Sequence, residues 1–252
     1  MPPKKKDKGK ERARDDDIVE VDKEEQAHND TLSFNETVQF VVEFLEVAFH
    51  TILYIRQVYP SYIFMRVKKY DTPVWKSRVP LLTDYLSDAA RAVGEQLSLG
   101  TVRQVCLTIR SVRTGRFLET FAFDFTFLGL SRLFFASTQD KDLQIANGPT
   151  RGQLAMHLRG MLVKLTVVES LLSGELNEET TFDIGVKMQD DVDVDPTYAD
   201  RSKGSEPLWI PSQPKEDQMV SIPIRTTNLG PISMQMFVQE NMSKADDSNI
   251  VP

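Results

Sequence analysis

Side chains able to do chemistry are few in this sequence, and their spacing suits it poorly. There are three histidines, His28, His50 and His157, and one cysteine, Cys106. None of the four stands at metal-ligand spacing from another, so no zinc site of neighbouring ligands is encoded. A single cysteine also excludes an internal disulfide and suits a reducing compartment. Asp190, Asp191, Asp193 and Asp195 alternate as the acidic ligands of a calcium loop would. The central glycine and distal glutamate of that loop are missing, and the run reads as a solvated acidic loop. His50 follows Glu46 by one helical turn and reads as a structural or surface histidine. There is no glycine-rich phosphate loop, no Gly-x-Ser-x-Gly elbow and no nucleophile paired with a base. The residues point away from catalysis, metals and cofactors, and toward a protein that works by binding protein.

Charge distribution narrows what it binds. The chain of 252 residues has a net charge of -7, 40% hydrophobic and 9% aromatic residues, enough for a real core. Met1 to Arg14 hold seven Lys/Arg against two acids, and Asp15 to Glu25 hold seven acids against one Lys. Residues 1–30 therefore read as a disordered, charge-segregated tail. Its lysines fit a nuclear-import address, a weak nucleic-acid contact or simply a solvated tail. Outside the tail no basic stripe interleaved with aromatics appears beyond Arg66, Lys68, Lys69 and Lys76, which argues against direct sequence-specific nucleic-acid binding. The most apolar stretch, Val38 to Tyr59, contains Glu43, Glu46, His50 and Arg56, so a membrane span is not expected.

The elements that must position a binding surface follow from periodicity. Ser33-Phe34-Asn35-Glu36 has capping-box spacing before a long apolar run, predicting a helix of roughly 26 residues, about 39 Å, that ends before Pro60. A small hairpin is expected from Ile63 to Val67 and Pro73 to Trp75, then a second helix opening at Pro80 and fading at Gly94 or Gly100. Alternation from Val102 to Ile109 and from Phe117 to Phe125 predicts a second hairpin. Residues 128–150 read as irregular loop, Gln153 to Leu172 as a third helix and Thr181 to Lys187 as a strand. Gln189 to Glu206 then hold six acids against two bases, with prolines at 196, 207, 211 and 214, before a last hairpin around Asn228 to Pro231. This order predicts one α+β domain over residues 31–241, a mostly antiparallel sheet packed on three helices, with a disordered tail at 242–252.

The run Glu43-Phe44-Leu45-Glu46-Val47-Ala48-Phe49-His50-Thr51-Ile52-Leu53-Tyr54-Ile55-Arg56-Gln57-Val58-Tyr59-Pro60, with Lys68-Lys69-Tyr70-Asp71-Thr72-Pro73-Val74 after it, closely resembles the HORMA-domain accessory subunits of the translesion DNA polymerase zeta. The resemblance continues more loosely at Leu158 to Lys164, Trp209-Ile210 and Met234 to Glu240. It implies a HORMA domain whose C-terminal part, about 189–241, holds a mobile safety belt and a final hairpin. Such a belt wraps an extended partner segment that adds a strand to the sheet. It further implies a non-catalytic nuclear adaptor that captures a proline-containing peptide of the polymerase zeta catalytic subunit. The alternative is a spindle-checkpoint or meiotic-axis HORMA adaptor.

Carried over position by position, Tyr85 and Trp209 match the family's aromatic residues that hold the peptide. Gln235 and Phe237 match the hairpin surface that docks the translesion deoxycytidyl transferase, with Phe237 in place of a tyrosine and Ser221 in place of a leucine. Arg159 matches an arginine used when HORMA domains pair as homo- or heterodimers.

Overall fold

The computed structural model describes residues 31–173, 176, 178–189 and 219–241. Helix α1 (Phe34–Ile55) starts where the capping box predicts. The Glu36 amide donates to Ser33 Oγ at 3.2 Å, and the Ser33 amide donates to the Glu36 carboxylate at 2.9 Å. By length and hydropathy α1 could cross a membrane, but it forms the centre of the core, with Val41, Phe44, Leu45, Phe49, Ile52 and Leu53 fully buried. At 22 residues it is shorter than the sequence suggests. The chain leaves the helix at Arg56, which turns toward Glu119, and Gln57 takes a φ of 51°.

Strands β1 (Phe64–Lys69) and β2 (Thr72–Ser77) form the small hairpin against α1. Their two-residue turn places Tyr70 and Asp71 at φ 47° and 55°, the geometry whose twist matches the flanking strands. Tyr70 is held there by stacking on Phe40 and donating to its carbonyl at 3.3 Å. Helix α2 (Pro80–Ser98) runs on through Gly94. A Cβ at Gly94 would lie 2.5 Å from Val42 Cγ2, so this glycine lets α1 and α2 close together.

Strands β3 (Val102–Ser111), β4 (Phe117–Phe127), β5 (Thr180–Met188), β6 (Met219–Asn228) and β7 (Ile232–Asn241) make one antiparallel sheet in the order β5-β3-β4-β7-β6. Residues 128–150, expected as irregular loop, contain a short fourth helix, α3 (Arg132–Ala136), started by Ser131 Oγ accepting from the Phe134 amide. Phe134 and Phe135 of α3 pack edge-on against Phe34, which fixes this segment to the start of α1. Helix α4 (Arg151–Thr166) begins earlier than its hydrophobic period indicates because Thr150 and Gln153 form a second capping box. It yields at Val167 to a 3-10 turn, Val168–Leu171.

One apolar face of the sheet meets α1, where Phe44 and Phe49 pack on Phe123. Two carboxylates share this buried face, because Glu119 and Glu240 are cross-strand partners on β4 and β7. Arg56 binds Glu119 through two hydrogen bonds of 2.8 and 2.7 Å. Glu240 accepts from the amide and hydroxyl of Ser173. A buried charge is tolerated only when paired in this way. These pairs tie β4 to the end of α1, and β7 to the segment that follows the 3-10 turn.

Candidate functional site

The two edges of the sheet differ. On β5, Phe182, Ile184 and Val186 are half-buried against the core, while Asp183, Gly185 and Lys187 are exposed on the opposite face. One side of β5 pairs with β3 from Val102 to Ser111. Among the described residues no strand pairs with its other side. That side presents backbone donors and acceptors to an incoming strand.

Aromatic side chains collect beside this edge. Tyr85, on α2, is 49% exposed and meets Phe182 edge-on at 5.8 Å between ring centroids. Phe182 also meets Tyr59 at 6.1 Å. Partial burial, then the nearby Asp183 carboxylate and Tyr59, raise the pKa of the Tyr85 hydroxyl. Leu81, 83% exposed, lies one turn before Tyr85 on the same helix face. Of the two residues expected to hold a peptide, Tyr85 is thus at the open edge. Trp209 lies outside the described residues. Phe182 and Tyr59 were not singled out from the sequence. The alternation of β5 carries a signal for Phe182, since it shares parity with Ile184 and Val186.

The opposite edge is guarded. Strand β6 contains the exposed Pro223 and a register shift between Pro223 and Arg225, and α4 packs against it. Gly160 of α4 is so close that an added Cβ would sit 3.0 Å from the Arg225 guanidinium carbon, and Thr227 Oγ lies 3.1 Å from His157 Nδ1. Proline and a bulge are usual means of blocking strand addition, while α4 packs on the core face of this strand, where Arg225 and Thr227 stand opposite the buried Met236 and Met234.

Ser221, Gln235 and Phe237 share the outer face of the β6–β7 hairpin. Phe237 is opposite Pro223, Gln235 is opposite Thr226, and Ser221 is opposite Gln239. Ser221 and Gln235 are exposed and Phe237 is half-buried. Arg159 is exposed on α4 between the exposed Met156 and Val163, at spacings that put all three on one helix face. These two surfaces are separate from Tyr85.

Groups with chemical potential are structural where they are described. His50 is buried and accepts from the Ser77 amide at Nδ1, 3.3 Å. Burial, aided by Lys76, lowers its pKa to about 4. Burial pushes the Cys106 thiol up to about 11, too high for a reactive thiolate. Among the described residues no group of three or more His, Cys, Asp or Glu could hold a metal ion. The aspartates from 190 to 195 and His28 lie outside them.

Comparison with known proteins identifies the fold and the family. The HORMA domain model matches residues 37–225. The DNA polymerase zeta processivity subunit of Schizosaccharomyces pombe is 28% identical over 219 residues, 84% of this chain and 97% of that protein. The mitotic spindle assembly checkpoint protein MAD2B of Homo sapiens is 29% identical over 217 residues, 84% and 95% of the two chains. Among solved structures, a chain of the mitotic checkpoint complex superposes with a TM-score of 0.64 at 19% identity, covering 82% of this chain and 99% of that one. C. elegans HTP-2 bound to the HIM-3 closure motif gives 0.60 at 13% identity, covering 83% and 92%. With the family model spanning most of the chain and the same fold in both structures, this chain belongs to the HORMA domain family.

Proposed function

We propose that the chain is a non-catalytic adaptor that captures an extended, proline-containing segment of the polymerase zeta catalytic subunit along the outer side of β5. The observation that carries this reading is the open edge beside the exposed Tyr85 and the half-buried Phe182 and Tyr59, on a sheet whose other edge is guarded. An added strand satisfies its own backbone through β5, and the Tyr85 ring offers a flat apolar face on which proline packs. The relationship to a polymerase zeta processivity subunit supports the choice of partner.

Chain length supports a latch. Strand β5 ends at Met188 on one edge, and β6 begins at Met219 on the other. Four strand spacings separate the edges, about 19 Å, while thirty residues can extend to about 100 Å. That excess is enough for residues 189–218, the proposed belt, to pass over a bound strand. Trp209 falls within it. In the same reading the outer face of the β6–β7 hairpin, through Ser221, Gln235 and Phe237, receives the translesion deoxycytidyl transferase. The face around Arg159 pairs with a second HORMA domain, and the site of action is the nucleus.

Calorimetric titration of the intact chain with a proline-containing segment of the polymerase zeta catalytic subunit tests the capture. Tyr85→Ala and Trp209→Ala should each weaken binding by on the order of thirtyfold, the loss of a desolvated aromatic anchor of about 2 kcal/mol, with little change in melting temperature. Absence of binding by the intact chain would refute the assignment to the polymerase. Unchanged affinity of both variants would refute the site.

A further inference from the structure

Gly185 stands in the middle of β5, and nothing within the described chain calls for a glycine there. Its φ is not among the positive ones, and a Cβ built on it meets no atom within 4 Å. A glycine inside a strand weakens it through lost conformational restriction and lost packing, and often marks a close approach by another chain. The register defines what surrounds it. Gly185 is opposite Cys106 on β3, which is opposite Ala122 on β4, so three small residues run inward from the open edge, of which Gly185 is exposed while Cys106 and Ala122 are buried. Rows of larger side chains border them. On one side Asp183 is paired with Arg110, Nε to Oδ2 at 2.9 Å. On the other, Lys187 is opposite Gln104, whose amide donates to Asp124.

We infer that Gly185 is a specificity-determining residue for the captured strand, which places a large side chain, aromatic by preference, directly across from it on the outer face. This rests on strand addition at β5. A residue opposite Gly185 in the added strand projects to the same face, and an aromatic ring there lies over the bare glycine backbone, a pairing that compensates a glycine at a sheet edge. The stem of Lys187 and the Asp183–Arg110 pair flank the ring. This recognition is distinct from the Tyr85 contact, which lies on the helix side of the same edge. The bound segment is therefore read on both faces, with successive side chains alternating between Tyr85 and Gly185.

The test is titration of the same proline-containing segment into the intact chain and into Gly185→Val, with each large residue of the segment replaced in turn by Ala. Space is free at Gly185 and valine favours strands, so Gly185→Val should melt at or above the temperature of the parent chain. Its affinity for the segment should fall about tenfold, and for one alanine-substituted segment the penalty should disappear, because that side chain no longer collides with the valine. A lower melting temperature would mean that the chain itself needs the glycine and would overturn the inference. Equal affinity of parent and variant, or the same penalty for every substituted segment, would also overturn it while leaving capture at β5 intact. A segment that fails to bind the unsubstituted chain removes both readings together.

Discussion

One sheet with two unlike edges is the most instructive contrast in this molecule. Strand β6 has an exposed proline and a bulge, whereas the nine-residue β5 has neither along its central part. Both are terminal strands, so both face the same hazard of pairing with another chain. Among the described residues, only β6 is protected. The unprotected one has the exposed Tyr85 ring packed beside it on Phe182, an arrangement that solvent alone does not favour. The unguarded edge of the five-stranded sheet is where the proposed capture places the partner strand.

The contrast can be broken from its anchor outward. Arg56→Met leaves Glu119 buried without its guanidinium and should cost about 3–5 kcal/mol, measured by denaturant titration. Since Glu119 is opposite Glu240 on β7, this loss should loosen the guarded half of the sheet first. Stability unaffected by the change would show that the buried pair does not hold that half.

A smaller effect is expected away from both edges, at His50. Its folded pKa of about 4 lies below the ordinary 6.5, so the unfolded chain binds the proton more readily between those values. Its contribution is complete above pH 6.5 and is lost as pH falls toward 4, by on the order of 3 kcal/mol. His50→Gln should lose less stability than the parent chain across that window, because carboxylates titrate in both and only the histidine differs. Parallel pH dependence in the two chains would contradict the burial argument. The smallest change is expected for Arg159→Ala, which removes an exposed helix residue and should alter stability by no more than about 0.5 kcal/mol. If the α4 face pairs with another HORMA domain, light scattering should nevertheless show weaker self-association.

Much of the fold was legible because its signals are local. The Ser33–Glu36 box starts α1, alternation marks β3 and β4, and Asn228 to Pro231 turn β6 into β7. The helix ends were not, because tertiary contacts set them: Arg56 leaves α1 for a carboxylate 63 positions away, and α4 yields to a 3-10 turn without a proline. Helix α3 is too short for a hydrophobic period and is held by aromatic packing. Glu119 and Glu240 carried an overlooked signal, since each shares the parity of its strand's buried residues, Phe121 and Phe123 on β4, Met236 and Val238 on β7. Tyr85 was reached by resemblance. Its neighbours Phe182 and Tyr59 required the fold, because they come together from positions 123 residues apart. Gly185 gave no sign in the sequence, since a lone glycine in a short apolar run does not reveal whether its space is filled.

Amide hydrogen exchange of the intact chain, free and saturated with the proline-containing segment, tests the central claim most directly. If the segment adds to the open edge, alternate amides between Thr180 and Met188 should exchange markedly more slowly in the complex, while those of Met219 to Asn228 on β6 keep their rates. Protection confined to β6, or binding that leaves the β5 amides unchanged, would show that the partner is held somewhere other than the unguarded edge.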